Sequence, residues 1–348
     1  MPEEYTSRIM SRTPRLCALT LLAVSAGVLA QNDAAARPPS VSDARSLMAK
    51  GKLDDARQEL DALAGMQPEP AGVERLRGIV EYENNRMAEA EASFTRALEQ
   101  DPSDLESMQM RGVTLYRMGK PDDAIPLLEK AHSAGPIANA DPNYVLALCY
   151  IGAKRYDDAR RAFAAQYDFA PDSAAAWLVT ARMLFRQELT APAAAAAHQA
   201  VQLDPRIPLA HRLLGEIDLA GGDVSGALAE LEQEVKVNPL DGETYDRIGD
   251  AYIRNEQYAR AQQVLDRAVL LEPNASGPYI LLGKALLEEH DPVTAAMYLE
   301  RAAKMDPSNA MIHMLLGRAF AAAGRRDDAN REFEALQKLQ GAPASSNP

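Results

Sequence analysis

Four Asp–Asp doublets recur along the chain and offer the first candidate chemistry. They are Asp54-Asp55, Asp122-Asp123, Asp157-Asp158 and Asp327-Asp328. Paired carboxylates can bind a divalent cation or share a proton in acid–base catalysis. Each doublet, however, directly precedes an alanine that recurs in register, at the predicted start of a helix. Carboxylates at that place cap free backbone amides and complement the helix dipole, so we predict a capping role.

The histidines and cysteines form no catalytic or metal-binding motif. The histidines are scattered, without a His-Glu-x-x-His set, at His132, His198, His211, His290 and His313. Cys17 lies in a segment that we expect to be removed, which leaves Cys149 alone and allows no intramolecular disulfide. Neither a Gly-x-Ser-x-Gly elbow nor a phosphate loop is present. The sequence therefore predicts no enzyme activity, no metal and no cofactor.

The composition favours helices and argues against nucleic acid as a partner. The net charge is −13, the pI is near 5.0, and no basic stripe is present to neutralise phosphates. Hydrophobic residues make up 47% of the chain but aromatic residues only 5%. The apolar residues are thus mostly Ala and Leu, which suit closely packed helices better than a sheet.

Residues 1–30 have the pattern of a secretory signal peptide. Arg8, Arg12 and Arg15 precede an apolar run from Leu16 to Ala30, just before Gln31. The run is shorter than the roughly twenty residues of a membrane span. We expect cleavage after Ala30 and export, most simply to a periplasm. The alternative is an uncleaved anchor, and only in that case would the chain contact a membrane.

Prolines at a spacing of 34 residues organise the rest of the sequence. Two runs, joined by a step of 35, comprise Pro68, Pro102 and Pro136, then Pro171, Pro205, Pro239, Pro273 and Pro307. An alanine lies twelve residues before each proline, a large apolar residue eight before most of them, and a small residue twenty-four before in most repeats. This period predicts a helix–turn–helix repeat. The small residue allows a large one to approach where the two helices cross, and the proline ends the second helix. Glycines mark the turn between the helices, at Gly51, Gly119, Gly152, Gly222 and Gly324.

One repeat shows the whole pattern, namely Tyr245, Ile248-Gly249, Tyr252, Ala261, Leu265, Ala268 and Pro273. With these residues the chain resembles the tetratricopeptide-repeat family. The resemblance implies an all-α, right-handed α-solenoid of about nine 34-residue helix–turn–helix repeats. We number them repeats 1–9, starting near residues 37, 71, 105, 140, 174, 208, 242, 276 and 310. The predicted solenoid covers residues 40–341, after an extended linker at 31–39 and before a disordered tail at 342–348.

The resemblance also implies a concave groove, lined by positions 2, 5, 9, 12 and 13 of each repeat. The candidate peptide-binding residues at these positions are Tyr82, Tyr116, Tyr144, Arg182, Phe185, Arg186, Arg212, Arg254, Lys284 and Arg318. Arg182, Arg186 and Arg212 are expected to cluster in repeats 5 and 6, with aromatic side chains beside them. This combination suits an extended segment with an acidic side chain or a free C-terminal carboxylate. The alternative is that the same side chains only pack and solubilise the solenoid.

Three functions are compatible with the sequence. The first is an exported adaptor that binds a protein or peptide partner in its groove, within an envelope assembly. The second is a structural protein that self-associates through its ends or its outer face. The third, an enzyme on a repeat scaffold, would need a catalytic cluster that the sequence lacks.

Overall fold

The protein is an all-α helical-repeat solenoid, as the sequence predicts. The structure, a computed structural model, describes residues 38–134 and 143–341, which form helices and no strand. The helices are α1 Val41–Ala49, α2 Leu53–Ala64, α3 Val73–Glu83, α4 Met87–Gln100, α5 Leu105–Arg117, α6 Pro121–Ser133, α7 Asn143–Gly152, α8 Tyr156–Gln166, α9 Ala174–Arg186, α10 Thr190–Leu203, α11 Ala210–Gly221, α12 Val224–Val237, α13 Gly242–Arg254, α14 Tyr258–Leu271, α15 Ser276–Glu288, α16 Pro292–Met305, α17 Ala310–Ala322 and α18 Arg326–Gly341. The predicted signal peptide, most of the predicted linker and the predicted tail lie outside the described residues.

Successive helices pack as pairs, and the pairs stack in chain order. Each odd-numbered helix packs on the helix that follows it, and each even-numbered helix packs on the first helix of the next repeat. First helices also touch the first helix of the next repeat, for example α3 with α5 and α13 with α15, whereas second helices make no comparable contact with one another in the described ranges. The first helices therefore lie on the inside of the curve. We call the residues at positions 2, 5, 9, 12 and 13 of these helices the inner face.

The helix pairs cross where the sequence places its small residues. A Cβ added at Gly249 would lie closer than 3.0 Å to Leu265, and one at Gly78 would lie equally close to Phe94. The same relation joins Gly112 to Leu128, Gly215 to Leu231, Gly283 to Leu299 and Gly317 to Phe333. The large residues of repeats 1 to 8 are completely buried, except that repeat 5 has the smaller Ala197 in this position, and the alanines twelve residues before the prolines are completely buried as well. The crossings thus form the core of the solenoid.

In most of the repeats the second helix ends shortly before the recurring proline. Helices α4, α10, α12, α14 and α16 each end two residues before a proline, as predicted. Helix α8 ends earlier, at Gln166, because Asp168 takes a left-handed conformation with φ 57° and the amide of Phe169 bonds back to the carbonyl of Ala164. Such a closure ends a helix without proline.

The turn between paired helices needs one residue with positive φ, and in four repeats that residue is a glycine. Gly51, Gly119, Gly222 and Gly324 have φ between 70° and 83°. The prediction for Gly152 was wrong. Gly152 is the last residue of α7, and Lys154, with φ 59°, occupies the left-handed place. The other repeats use Asn85, Glu188, Glu256 and His290 there.

No helix in the described ranges is long and apolar enough to cross a membrane.

Candidate functional site

The Asp doublets lie in the first turn of the second helices, and on α2, α6 and α8 they do not cap the helix. The N-cap residues of α2, α6 and α8 are Lys52, Lys120 and Arg155, and none of these helices has a side-chain cap hydrogen bond. The doublets follow within the first turn, where a carboxylate still favours the helix dipole. The predicted position at the start of the helix is therefore correct, but the predicted capping by side-chain hydrogen bonds was wrong for α2, α6 and α8.

The residues that could do covalent or metal chemistry are not assembled for it. In residues 38–134 and 143–341, no group of three or more His, Cys, Asp or Glu side chains could hold a metal ion. Cys149 is fully buried, and burial raises the pKa of its thiol to about 12. A thiol with that pKa is not a nucleophile near neutral pH.

His211 and His313 occupy the aromatic position of their repeats and act as packing residues. The Nδ1 of each lies 2.7 Å from a glutamate one helix away, Glu230 for His211 and Glu332 for His313. Burial lowers the pKa of His313, but its hydrogen bonds to the carbonyl of Pro307 and to Glu332 outweigh burial and raise it. The equivalent Tyr245 and Tyr279 donate to the matching proline carbonyls.

Arg212 is a structural residue that ties repeat 6 to repeat 7. Its side chain is 7% exposed, and its guanidinium lies 2.9 Å from Asp241 and 2.8 Å from Glu243. Arg75 makes the same pair of contacts with Asp104 and Glu106 between repeats 2 and 3. The Arg-to-Asp spacing is 29 residues in both cases. Arg212 is therefore not the free groove charge that we predicted. The recurring spacing of 29 residues is the signal in the sequence that could have revealed its structural role.

Two further inner-face arginines are also paired within the chain. Arg254 bonds to Asp250 on its own helix at 2.8 Å and to the carbonyl of Leu219 in the preceding repeat. Arg318 lies 3.2 Å from Glu288 of the preceding repeat. These pairs are exposed, and the charges are screened by solvent. Lys284 is half-buried on α15.

The predicted aromatic residues line the inner face of repeats 2 to 5. Tyr82, Tyr116, Tyr144 and Phe185 are each partly buried on the first helix of their repeat. The guanidinium of Arg117 lies over the ring of Tyr82, 4.8 Å from its centre. Tyr144 meets the ring of Phe163 edge-on at 6.0 Å between centres.

Arg182 and Arg186 lie one turn apart on α9, at positions 9 and 13 of repeat 5. The Nη2 atom of Arg182 is inaccessible to solvent and has no hydrogen-bond partner. Arg186 is exposed. The structure therefore separates these two arginines from Arg212, whose charge is already balanced.

Repeat 7 has a buried carboxylate on the inner face, that of Asp246. Its Oδ1 atom is buried without a hydrogen-bond partner. Burial raises the pKa of Asp246 to about 6; Arg247 opposes this shift, and the carboxylates of Asp250, Glu243 and Glu272 add to it.

The repeat geometry agrees with what comparison with protein families finds. Profiles described as tetratricopeptide repeat match residues 43–104, 115–183 and 286–344, and a profile described as bacterial transcriptional activator domain matches residues 152–272. The tetratricopeptide-repeat matches cover more than half of the chain. The chain belongs to the tetratricopeptide-repeat family. Among curated proteins, no sequence matches it.

Solved structures with a similar fold include other repeat proteins. A crystal structure of MamA shares 18% identity over 51% of this chain and 98% of its own, with a TM-score of 0.45. YrrB, described as a TPR protein with an unusual peptide-binding site, shares 21% identity over 49% of this chain and 87% of its own, with a TM-score of 0.43. The Cut9–Hcn1 structure shares 16% identity over 85% of this chain and 57% of its own, with a TM-score of 0.48. At such low identities the similarity extends to the fold alone.

Proposed function

We propose that this chain is a non-catalytic scaffold that holds a polypeptide segment against its inner face. The observation that carries the proposal is the run of partly exposed aromatic side chains along repeats 2 to 5, at Tyr82, Tyr116, Tyr144 and Phe185. Aromatic side chains at a concave surface give a peptide a large contact area at low entropic cost, and they are enriched where proteins bind one another.

Site-specific cross-linking tests this proposal. A photoreactive amino acid at Val113, on the inner face of α5, is compared with the same group at Met297, on the second helix α16. Met297 is 63% exposed, so it controls for reactivity at the surface. Capture of one partner segment through Val113 and not through Met297 is the expected result. Capture through Met297 alone would overturn the proposal.

Self-association is the second candidate, and exposed apolar side chains on α16 favour it. Val293 is 68% exposed and Met297 63% exposed, one helical turn apart on the same face. Light scattering over a range of concentrations separates the two functions. A mass that rises with concentration, and falls back in a Met297→Glu variant, would favour self-association through the second helices.

We also propose that the chain is exported and acts in an envelope assembly. The support is the sequence of residues 1–30, with three arginines before an apolar run. Expression in a Gram-negative host followed by fractionation and mass measurement tests export. A periplasmic product that begins at Gln31 is expected, and a cytoplasmic product that retains its N-terminus would contradict it.

A further inference from the structure

Arg182 and Arg186 stand out among the inner-face arginines of the described residues, because the others each have a polar or aromatic partner within the chain. Helix α9, which carries both, contains no acidic residue, and the preceding first helix, α7, contains no charged residue at all. In the described part of the chain neither arginine makes an ion pair, although the chain as a whole has a net charge of −13.

The repeat register explains why these two arginines are unpaired. Arg318, at position 9 of repeat 9, is balanced by Glu288, at position 13 of the repeat before it. For Arg182, at position 9 of repeat 5, the matching residue of the repeat before it is Gly152, which has no side chain.

The same comparison applies to Arg186, at position 13. Arg254, at position 13 of repeat 7, bonds to Asp250, four residues earlier on its own helix. For Arg186 the residue four earlier is Arg182. Two of the places from which other repeats supply a carboxylate are thus occupied here by a glycine and by a second arginine.

This arrangement weakens the unliganded protein. Like charges four residues apart on a helix repel each other. A guanidinium N–H that is shielded from water without an acceptor carries an uncompensated desolvation penalty. An external anion bound at the two guanidinium groups would offset the repulsion and supply the missing acceptor. Local rules broken without an internal compensation are typical of functional sites.

Apolar side chains are the neighbours of the two arginines in sequence and in repeat register, and they restrict the kind of anion. Leu148, Leu178, Met183 and Phe185 are partly buried and pack on the core of repeats 3 to 6. The hydroxyl of Tyr144 lies 3.9 Å from the sulfur of Met183 and joins repeat 4 to repeat 5. Such a surface fits a carboxylate with apolar neighbours better than a free inorganic ion.

We propose that Arg182 and Arg186 form a carboxylate-binding subsite of the inner face, which selects a polypeptide segment whose carboxylate is flanked by apolar side chains. The carboxylate is supplied by an aspartate or glutamate side chain or by a free C-terminus. Planar guanidinium groups bind carboxylates through paired, charge-assisted hydrogen bonds. This subsite rests on the proposed function, because it requires that the inner face binds a polypeptide.

Selection from a random peptide library, displayed with free C-termini, on the full-length chain tests the subsite. Selected peptides are then synthesised with each acid changed to its amide and, separately, with an amidated C-terminus. Binding is measured by fluorescence anisotropy to the unmodified chain, to Arg182→Gln/Arg186→Gln and to Arg267→Gln/Arg301→Gln. The last variant makes the same charge change at two exposed arginines on the second helices α14 and α16.

The expected result is enrichment of peptides with one essential carboxylate. Removing that carboxylate, or both subsite arginines, weakens binding by about tenfold or more, whereas Arg267→Gln/Arg301→Gln binds as the unmodified chain does. Loss on amidation of the C-terminus alone assigns the carboxylate to the chain end. Peptides that bind equally well without acids, and to Arg182→Gln/Arg186→Gln, would overturn the subsite but leave the proposed function standing. A library that yields no binder at all would overturn both.

A stability measurement provides an independent readout that needs no ligand. Arg182→Met keeps the length of the side chain and removes the unbalanced charge. We expect it to raise the melting temperature of the free protein, whereas Arg212→Met, which removes a balanced charge, lowers it. A lower melting temperature for Arg182→Met would show that Arg182 has a structural role and would contradict the subsite.

Discussion

At the scale of the residue, each helix pair crosses at a small side chain that faces a large one. The position occupied by Gly249 is closed by the Leu265 side chain, which an added Cβ would meet at less than 3.0 Å. We expect Gly249→Ala to lower the free energy of unfolding by about 1–3 kcal/mol, and Gly249→Leu to lower it further, because neither the helix nor the buried leucine can move away freely. Thermal and urea denaturation followed by circular dichroism measure the effect.

Gly221 is the matched control for Gly249. It is also helical, but no atom lies within 4 Å of the place that its Cβ would take. Gly221→Ala should therefore leave stability unchanged or raise it by up to about 1 kcal/mol. Equal losses for the two alanine variants would mean that the helix crossing is not where the structure places it.

Asp246 gives the solenoid a pH-dependent stability term. Its pKa is raised to about 6 in the folded protein, mainly by burial, so the folded state binds a proton that the unfolded state releases near pH 4. The stability that the protonated form contributes is therefore full below pH 4 and is lost as the pH rises through 6. Asp246→Asn mimics the protonated form, and we expect it to be more stable than the unmodified chain by about 1–3 kcal/mol at pH 7.5 and equal to it near pH 4.

Urea denaturation at several pH values between 4 and 8 measures this difference. Asp122→Asn is the control, because Asp122 is exposed and lies in repeat 3, whereas Asp250 is one of the carboxylates that raise the pKa of Asp246. Asp122→Asn should bring no gain at pH 7.5. A stability difference for Asp246→Asn that does not change with pH would rule out the titration of Asp246 as its cause.

How far the sequence predicts a residue's role depends on where its partners lie. The glycine and its large partner sit in one repeat, so Gly249 and Leu265 could be paired from spacing alone. Arg212 was predicted to lie free in the groove because only the five inner-face positions were compared. One of its acceptors, Asp241, lies at the end of repeat 6, outside those positions. That Arg182 lacks an ion-pair partner can be recognised only when the residues around it are compared with those at the same positions of other repeats.

At the scale of the element, helix α11 begins in an unusual way. Leu209, the residue before it, has φ 72°, a left-handed conformation that costs a leucine energy. The carboxylate of Glu234, from α12, accepts hydrogen bonds from the amides of Leu209 and Arg212, and Glu234 is fully buried. Helix α11 is therefore capped by a residue of its partner helix and not by its own sequence.

Glu234→Ala should destabilise the protein by about 1–3 kcal/mol, because it leaves two amides at a buried helix start without an acceptor. Hydrogen exchange should show the loss first at the start of α11. Glu232→Ala, at an exposed position of the same helix, changes the charge equally and should have little effect. If the two variants were equally stable, the cap would not contribute to stability.

Helix existence was predictable from the sequence, whereas the details of helix ends were not. The proline spacing predicts where α10 and α12 end, because proline cannot continue a helix. The left-handed turn residue was predictable where glycine occupies it. Lys154 and His290 adopt the same conformation because the packed helices on both sides impose it, and nothing in those two residue types indicates it.

At the scale of the whole molecule, each repeat packs mainly on its two neighbours, so the ends differ from the middle. Phe333, the large residue of repeat 9, is partly exposed, while Phe94 and Leu299 in inner repeats are fully buried. In such an array stability is close to a sum of repeat and interface contributions. Loss of terminal repeats should therefore leave distant repeats folded.

A chain truncated after Asn274, which lacks repeats 8 and 9, tests this independence and the location of the carboxylate subsite together. Its helices α7, α9 and α11 keep all their neighbours, since none of them packs on α15 to α18. We expect the truncated chain to remain helical by circular dichroism, to melt at a lower temperature, and to bind a peptide selected on the full chain with an affinity within about twofold. Arg182→Gln/Arg186→Gln in the truncated chain should abolish that binding. A folded truncated chain that no longer binds would move the peptide site towards repeats 8 and 9, and complete unfolding would show that the array is cooperative over its whole length.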